Sequence, residues 1–287
     1  MNIKKLLPCF LAVLLFSSCF NTSLYMGDVD KGDSKANGDS KLNNPYDPDY
    51  LDEEFINLID DEETTVETIM EFIKANEKTL KDNKIPFIHY IVQRGEYDLL
   101  TRLLDNYGDL VNYKGGEDSY TPLHLAAQKG DIKILELFIN KGADINATDK
   151  NGNTALHYAC STDSKNNKKI VAKLIEEMNL TKSSDDLISL KNSLNCSPFY
   201  MAVRSGNLQI FKLLLSYIDK PQDLLNILET KGERNLIEIA LFHNSSSLLN
   251  FFITKKDLFT EQNINKAVKF AKELEKTHLV HEFEKKV

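Results

Sequence analysis

The stretch Thr121–Asn146, TPLHLAAQKGDIKILELFINKGADIN, decides the fold. It opens with a hydroxyl residue followed by proline, the order that caps a helix and fills its first position without needing an N–H. The short run LHLAAQK ends at Gly130, a residue free to take the left-handed conformation that stops a helix. Asp131 then caps a second run, in which Ile132, Ile134, Leu135, Leu137, Phe138 and Ile139 form an apolar stripe. The reading predicts two short helices folded back on each other. Their stripe is too wide for so short a pair to bury alone, so the unit requires neighbours.

Those neighbours stand on either side. TALHYAC starts at Thr154 and is followed by IVAKLIEE. SPFYMAVRSGNLQIFKLLLSYID starts at Ser197, and NLIEIALFHNSSSLLNFFI at Asn235. FIHYIVQRGEYDLLTRLL lies upstream and KAVKFAKELEKTHLVHEF downstream. Superposed, these segments put Ile91, Ala126, Ala159, Ala202, Ala240 and Ala271 at one position, where a small side chain lets helices approach. Thr121, Thr154 and Ser197 share the cap, Pro122 and Pro198 the residue after it, and Gly95, Gly130 and Gly206 the helix stop. Asp131 and Asn207 cap second helices.

A period near 33 residues, with TPLHLAAQKG, GADIN and the turn DKNGNTALH, resembles the ankyrin repeat. The resemblance covers residues 84–287. It implies an all-α solenoid of helix-turn-helix units joined by short β-hairpin turns, about five to six repeats with degenerate ends. Asp163–Lys168 is extra in the loop between two helices, and Thr181–Leu194 in the following hairpin region. Residues 51–83 read as two amphipathic capping helices, 84–257 as the repeats, and 258–287 as a degenerate C-terminal cap.

The first nineteen residues read as an address. MNIKK is basic, and LLPCFLAVLLF is an apolar run too short to span a bilayer and suited to a signal peptide. Phe16-Ser17-Ser18-Cys19 resembles the lipobox of bacterial lipoproteins, with Phe16 in place of the usual Leu. That resemblance implies a signal peptide over 1–18, lipidation at Cys19 and export to the cell envelope. Phe20 is not the Asp that retains some lipoproteins in the inner membrane, which favours the outer membrane. Residues 19–50 then form a polar tether. Residues 20–63 hold thirteen acids against three lysines, so the net charge of −8 belongs to this segment and the body is near neutral. A pI near 5.4 argues against a nucleic-acid binder.

Chemistry-bearing residues carry mostly structural readings. His89, His124 and His157 share one repeat position. Equivalent positions in a solenoid lie a repeat apart, too far to share a metal. Each ring is expected to bond near its own cap. His278 and His281 read as a surface pair. Cys160 and Cys196 read as unpaired thiols, and the acids Asp60 to Glu63 as a solvated linker and helix start. No phosphate loop, GxSxG or HExxH occurs. The chain is read as a non-enzyme with no cofactor and no metal.

By resemblance, such a stack binds a protein through its concave face and hairpin tips. The tips fall near Lys114–Ser119, Asp149–Asn151, Lys191–Asn195 and Lys231–Arg234. The first-helix candidates are Tyr90, Arg94, Leu125, Gln128, Lys129, Tyr158, Met201, Arg204, Ile239, Phe242 and His243. The functional expectation is an exported, membrane-anchored monomer that binds a protein partner. The alternative is a structural spacer of the envelope with no dedicated partner.

Overall fold

A computed structural model describes residues 53–61, 64–76, 87–115, 118–179, 184–218, 235–255 and 260–275. Residues 1–52, on which the expected signal peptide, lipidated Cys19 and tether fall, lie outside them, as do tip residues Lys231–Arg234 and the pair His278 and His281.

The helices come in pairs: α1 (Glu53–Asp60) with α2 (Val66–Ala75), α3 (Phe87–Arg94) with α4 (Tyr97–Asn106), and α5 (Pro122–Lys129) with α6 (Ile132–Asn140). The pairs continue with α7 (Ala155–Ser161) and α8 (Asn167–Glu177). Then a short extra helix, α9 (Ser184–Ser189), precedes α10 (Pro198–Arg204) and α11 (Leu208–Leu215). The last pair is α12 (Leu236–Phe242) with α13 (Ser246–Thr254), and α14 (Glu261–Glu273) follows it. The described residues contain no strand, only an isolated antiparallel bridge between Gly115 and Tyr120.

Two rows result. The first helices α3, α5, α7, α10, α12 and α14 pack in sequence, and the second helices α2, α4, α6, α8 and α11 form the other layer. Phe211 of α11 extends that layer to α13 through edge contacts with Phe251 and Phe252, at 6.0 and 5.4 Å between centroids. The marker residues Ile91, Ala126, Ala159, Ala202, Ala240 and Ala271 are completely buried where neighbouring helices meet. Each α6-type stripe is buried as expected. Ile134, Leu135, Leu137 and Phe138 are inside, while Ile132 and Ile139 are half-buried at its margins.

The N-terminal pair packs on the next pair and continues the stack's geometry. Phe55 of α1 is fully buried against Phe87 and Tyr90 of α3. Of the acid run, Glu62 and Glu63 lie outside the described residues, and Asp60 belongs to the end of a helix. Asp60 ends α1, accepts the Tyr90 hydroxyl at 2.9 Å and pairs with the Arg94 guanidinium at 3.1 Å.

Caps follow the sequence reading. Asp131 Oδ1 accepts N–H bonds from Lys133 and Ile134, and Asn207 Oδ1 accepts one from Ile210. Asn235 and Glu238 bond reciprocally at the start of α12. Gly130 is left-handed, with φ 76°, and a Cβ there would fall 1.9 Å from Ser164 Oγ. The lengthened loop of the next repeat therefore sits on a position that only glycine can leave open.

Candidate binding surface

The hairpin tips are built from turns that bond to one another. Asp149 N–H donates to Asn153 O and Asn192 N–H to Cys196 O, closing two equivalent turns. The tips are joined by backbone bonds from Lys150 N–H to Asp118 O and from Ser193 N–H to Asn151 O, both 2.9 Å. Gly152 makes the second join possible. Its φ is 76°, and a Cβ would lie 2.9 Å from Ser193 N.

Beneath the tips lies a polar network that sequence reading missed. The Asp149 carboxylate is buried, yet it accepts four bonds. The N–H groups of Asn151 and Asn153 donate at 2.8 and 2.7 Å, the Asn153 amide at 2.9 Å and the Tyr158 hydroxyl at 2.7 Å. Asn192 donates to Asn153 Oδ1 at 2.7 Å, carrying the network into the next turn. A buried carboxylate with this many donors is satisfied rather than stranded. Burial pushes the Tyr158 phenol upward, and the Asp149 charge adds to that shift. Burial likewise pushes Tyr120 up to about 12. The available signal was the DKNGN turn, whose Asp can receive N–H groups two and four residues on.

The three histidines bridge repeats. His124 Nδ1 accepts the N–H of its own cap Thr121 at 3.0 Å, which leaves Nε2–H to donate to Asn153 O at 3.0 Å. His157 does the same between Thr154 N–H at 3.2 Å and Cys196 O at 3.2 Å. His89 Nε2 reaches Tyr120 O at 2.9 Å, but its buried Nδ1 has no partner. In the sequence, Pro86 aligns with Thr121 and Thr154, and a proline has no N–H to offer. Each acceptor carbonyl belongs to the residue just before the next cap. The expected bond to the cap is present, and the bond to the next repeat is additional. Burial holds His89 and His157 down at about 4 and lowers His124 too.

Four first-helix candidates are not surface residues. Leu125, Tyr158, Met201 and Ile239 are 3%, 1%, 0% and 3% exposed. The first helices pack on both neighbours in their row, so positions along their middle are covered. Tyr158 is also turned inward by Asp149, with its ring 5.3 Å from Tyr120 and 5.6 Å from His124. Tyr200 and Phe199, which replace the repeat's His and Leu, are buried as well. They enlarge the core rather than shape a surface.

Three more candidates are accessible but engaged within the chain. Tyr90 and Arg94 both hold Asp60. Lys129 caps α3 through the carbonyls of Val92 and Gln93, the end of a helix where a cation is stabilised. Gln128, Arg204 and Phe242 are half-buried, and His243 is exposed with its ring against Phe242. The tips carry further accessible residues. Lys114 donates to Thr148 O, Lys150 pairs with Asp118, and Leu194 is 44% exposed.

No group of three or more His, Cys, Asp or Glu among the described residues could hold a metal. Cys160 and Cys196 are buried and not joined in a disulfide, and burial pushes the Cys160 thiol up, away from its reactive form. Among the described residues, no helix is long and apolar enough to cross a membrane.

Known proteins share this repeat. The chain is 26% identical over 183 residues to the nuclear factor NF-kappa-B p105 subunit of Gallus gallus, covering 61% of this chain and 17% of that one. It is 37% identical over 97 residues to the human transient receptor potential cation channel subfamily A member 1, covering 33% and 8%. It is 30% identical over 149 residues to phosphocholine transferase AnkX of Legionella pneumophila, covering 52% and 15%. The chain thus spans less than a fifth of each relative, and the activities in their names are theirs. A family model described as ankyrin repeats (3 copies) matches residues 61–149, 88–186 and 132–224. With paired helices, linked tips and matches that together cover more than half its length, the chain belongs to the ankyrin-repeat family.

Proposed function

We propose that this chain is a non-catalytic protein-binding module, exported and anchored to the cell envelope through a lipid on Cys19. The observation that carries the binding reading is the set of accessible residues Gln128 at the end of α5, Arg204 at the end of α10 and Phe242 with His243 at the end of α12, together with the exposed tip residues Lys191 and Leu194. Arginine and aromatic side chains on a rigid scaffold are the residue types that anchor interfaces. The stack acts as a monomer, binds no nucleic acid and needs no cofactor. The anchoring reading rests on the sequence of residues 1–19, and the outer membrane on Phe20.

The binding test places a photo-crosslinking residue in cells at Gln128, Arg204 or His243, and as controls at Lys133 or Glu176 on second helices. A discrete adduct from the first set alone supports the binding face. Absence of adducts from both sets favours a spacer without a dedicated partner. Equal adducts from both sets reject this face as the binding surface. Metabolic labelling with palmitate, lost in Cys19→Ala, tests the anchor. An unlabelled native chain rejects it.

A further inference from the structure

The turns that join first to second helices are rich in lysine in one part of the stack. Residues 129–133, 163–169 and 207–212 hold six lysines against two aspartates. The equivalent turns on either side are RGEYD at 94–98, with two acids against one arginine, and HNSSS at 243–247, with neither acid nor lysine. The three lysine-bearing turns form one continuous surface. Ser164 lies over Gly130, and Asn166 donates its amide to Gly130 O at 3.2 Å. On the other side, Asn207 donates to Thr162 O at 3.3 Å and Lys168 to Gln209 Oε1 at 2.8 Å. The extra loop Asp163–Lys168 thus fills the step between its neighbours and brings Lys165 and Lys168 into it.

The positive charge of this surface is not balanced locally. Elsewhere lysines meet carboxylates: Lys141 pairs with Asp105, Lys150 with Asp118 and Lys173 with Glu177. The second-helix acids Glu136 and Glu176 act on Lys173 as well. Asp131 is engaged through Oδ1 with the N–H groups of Lys133 and Ile134. Lys129 is spent on the carbonyls that end α3, and Lys212 lies over the Phe251 ring at 5.5 Å. Among the described residues, Lys133, Lys165 and Lys169 are exposed and enter no ion pair.

We propose that this lysine surface is the docking site of the chain's own acidic segment Asp28–Asp52, which folds back over the turns of α5–α6 and α7–α8 and keeps them from other acidic ligands. Charge on rigid turns attracts a chain of opposite sign. Asp28–Asp52 carries seven aspartates and three lysines, and its last eleven residues carry three aspartates and no lysine. The segment ends where α1 begins, at Glu53, and α1 packs on α3, which packs on α5. Packed helices lie about 8–10 Å apart, and α1 is about 12 Å long. Residues 42–52 alone reach about 36–40 Å when extended, enough to cross both steps. Exposed ion pairs are weak singly, but attachment raises the local concentration of the segment to about the millimolar range.

The test uses the full chain and a water-soluble carbodiimide. The reagent activates a carboxylate, a lysine amine in contact attacks it to form an amide, and the carbodiimide leaves as a urea. Unlabelled and isotope-labelled chains are mixed, so that peptide mass spectrometry separates bonds within one chain from bonds between two. The pairs Lys141–Asp105 and Lys150–Asp118 show that the reaction works, and Lys266 and Lys269 on α14 are exposed lysines on another element. The expected result is amides within one chain from Asp39, Asp47, Asp49 or Asp52 to Lys133, Lys165 or Lys169. Their yield should fall about fivefold between about 50 mM and about 500 mM salt. Acetylation of the same three lysines should be about threefold slower in the native chain than in a variant carrying Asp47→Asn, Asp49→Asn and Asp52→Asn, which alters none of the described residues. Amides that reach Lys266 and Lys269 equally, that form only between chains, or that are absent while the control pairs react overturn the proposal. So does acetylation that is equal in the two chains. Protection of these lysines that appears only with phosphatidylglycerol vesicles gives the surface to a membrane and overturns it as well.

Discussion

Tyr158 donates its hydroxyl to Asp149 Oδ2 at 2.7 Å, and both residues are buried beneath the hairpin tips. The bond joins the middle of a first helix to the turn that precedes it. It thereby fixes the height of the tip above the helix row. Tyr158→Phe keeps the ring and removes one of four donors to a buried carboxylate. A loss of about 1.5–3 kcal/mol in unfolding free energy is expected by urea titration. Tyr158→Glu adds a second buried acid beside the first and should prevent folding. A Phe variant as stable as the native chain would show that Asp149 does not depend on this bond.

Two glycines separate backbone strain from crowding. Gly95 and Gly152 have φ of 83° and 76°, but only Gly152 has atoms close to the place of a Cβ. Gly95→Ala should cost about 1 kcal/mol from the left-handed conformation alone. Gly152→Ala should cost clearly more, because it also pushes on Ser193 N. Equal losses in thermal unfolding would mean that the tips can separate freely.

The bridging histidines differ in how many groups they satisfy. His124→Leu strands the Thr121 N–H and takes one of two donors from the Asn153 carbonyl, whereas His89→Leu strands no N–H and takes one of two donors from the Tyr120 carbonyl, which keeps the Gly115 N–H. The first change should exceed the second by about 1–2 kcal/mol in equilibrium unfolding. A reversed order would remove the cap bond from the account.

The same residues set the pH dependence. A histidine lowered on folding binds its proton better in the unfolded chain, so stability is complete above the ordinary value of 6.5 and declines as pH falls. For His89 and His157 the decline runs from there to about 4 and amounts to about 3 kcal/mol each. Urea midpoints measured from pH 7.5 to 4.5 should fall, and fall less in His89→Gln. A flat profile would contradict buried neutral rings.

At the N-terminal end, apolar packing should outweigh charge. Arg94→Ala breaks a pair in which both side chains are more than 40% exposed, and should cost less than about 1 kcal/mol. Phe55→Ala empties a site against Phe72, Phe87 and Tyr90 and should cost about 3–5 kcal/mol. Hydrogen exchange should show α1 and α2 loosening first. If Arg94→Ala releases them instead, the ion pair is the anchor.

The repeat was legible because its signals are local. Thr-Pro, the helix-stopping glycines and the second caps each act within a few residues, and they return at a steady interval. The marker alanines were found by that interval and are buried as it implies. What could not be read was which way a first-helix side chain faces once both neighbours are in place. Tyr158 looks like an interface residue by type, but Asp149, nine residues away, claims its hydroxyl. Lys129 resembles a free surface cation, but its partners lie 36 and 37 residues back at the end of α3. The partners of Asp60 were unreadable for the same reason, since they are on the next pair. Burial set by contacts one repeat away leaves no short-range trace.

The histidine bridges all point the same way along the chain. Each ring donates forward, over 31, 29 or 39 residues, to a carbonyl of the following copy. As the chain leaves the ribosome, His124 remains unpaired at Nε2 until Asn153 has emerged, and His157 until Cys196 has. Each of these three copies awaits its successor, so along this part of the stack synthesis and assembly share one direction.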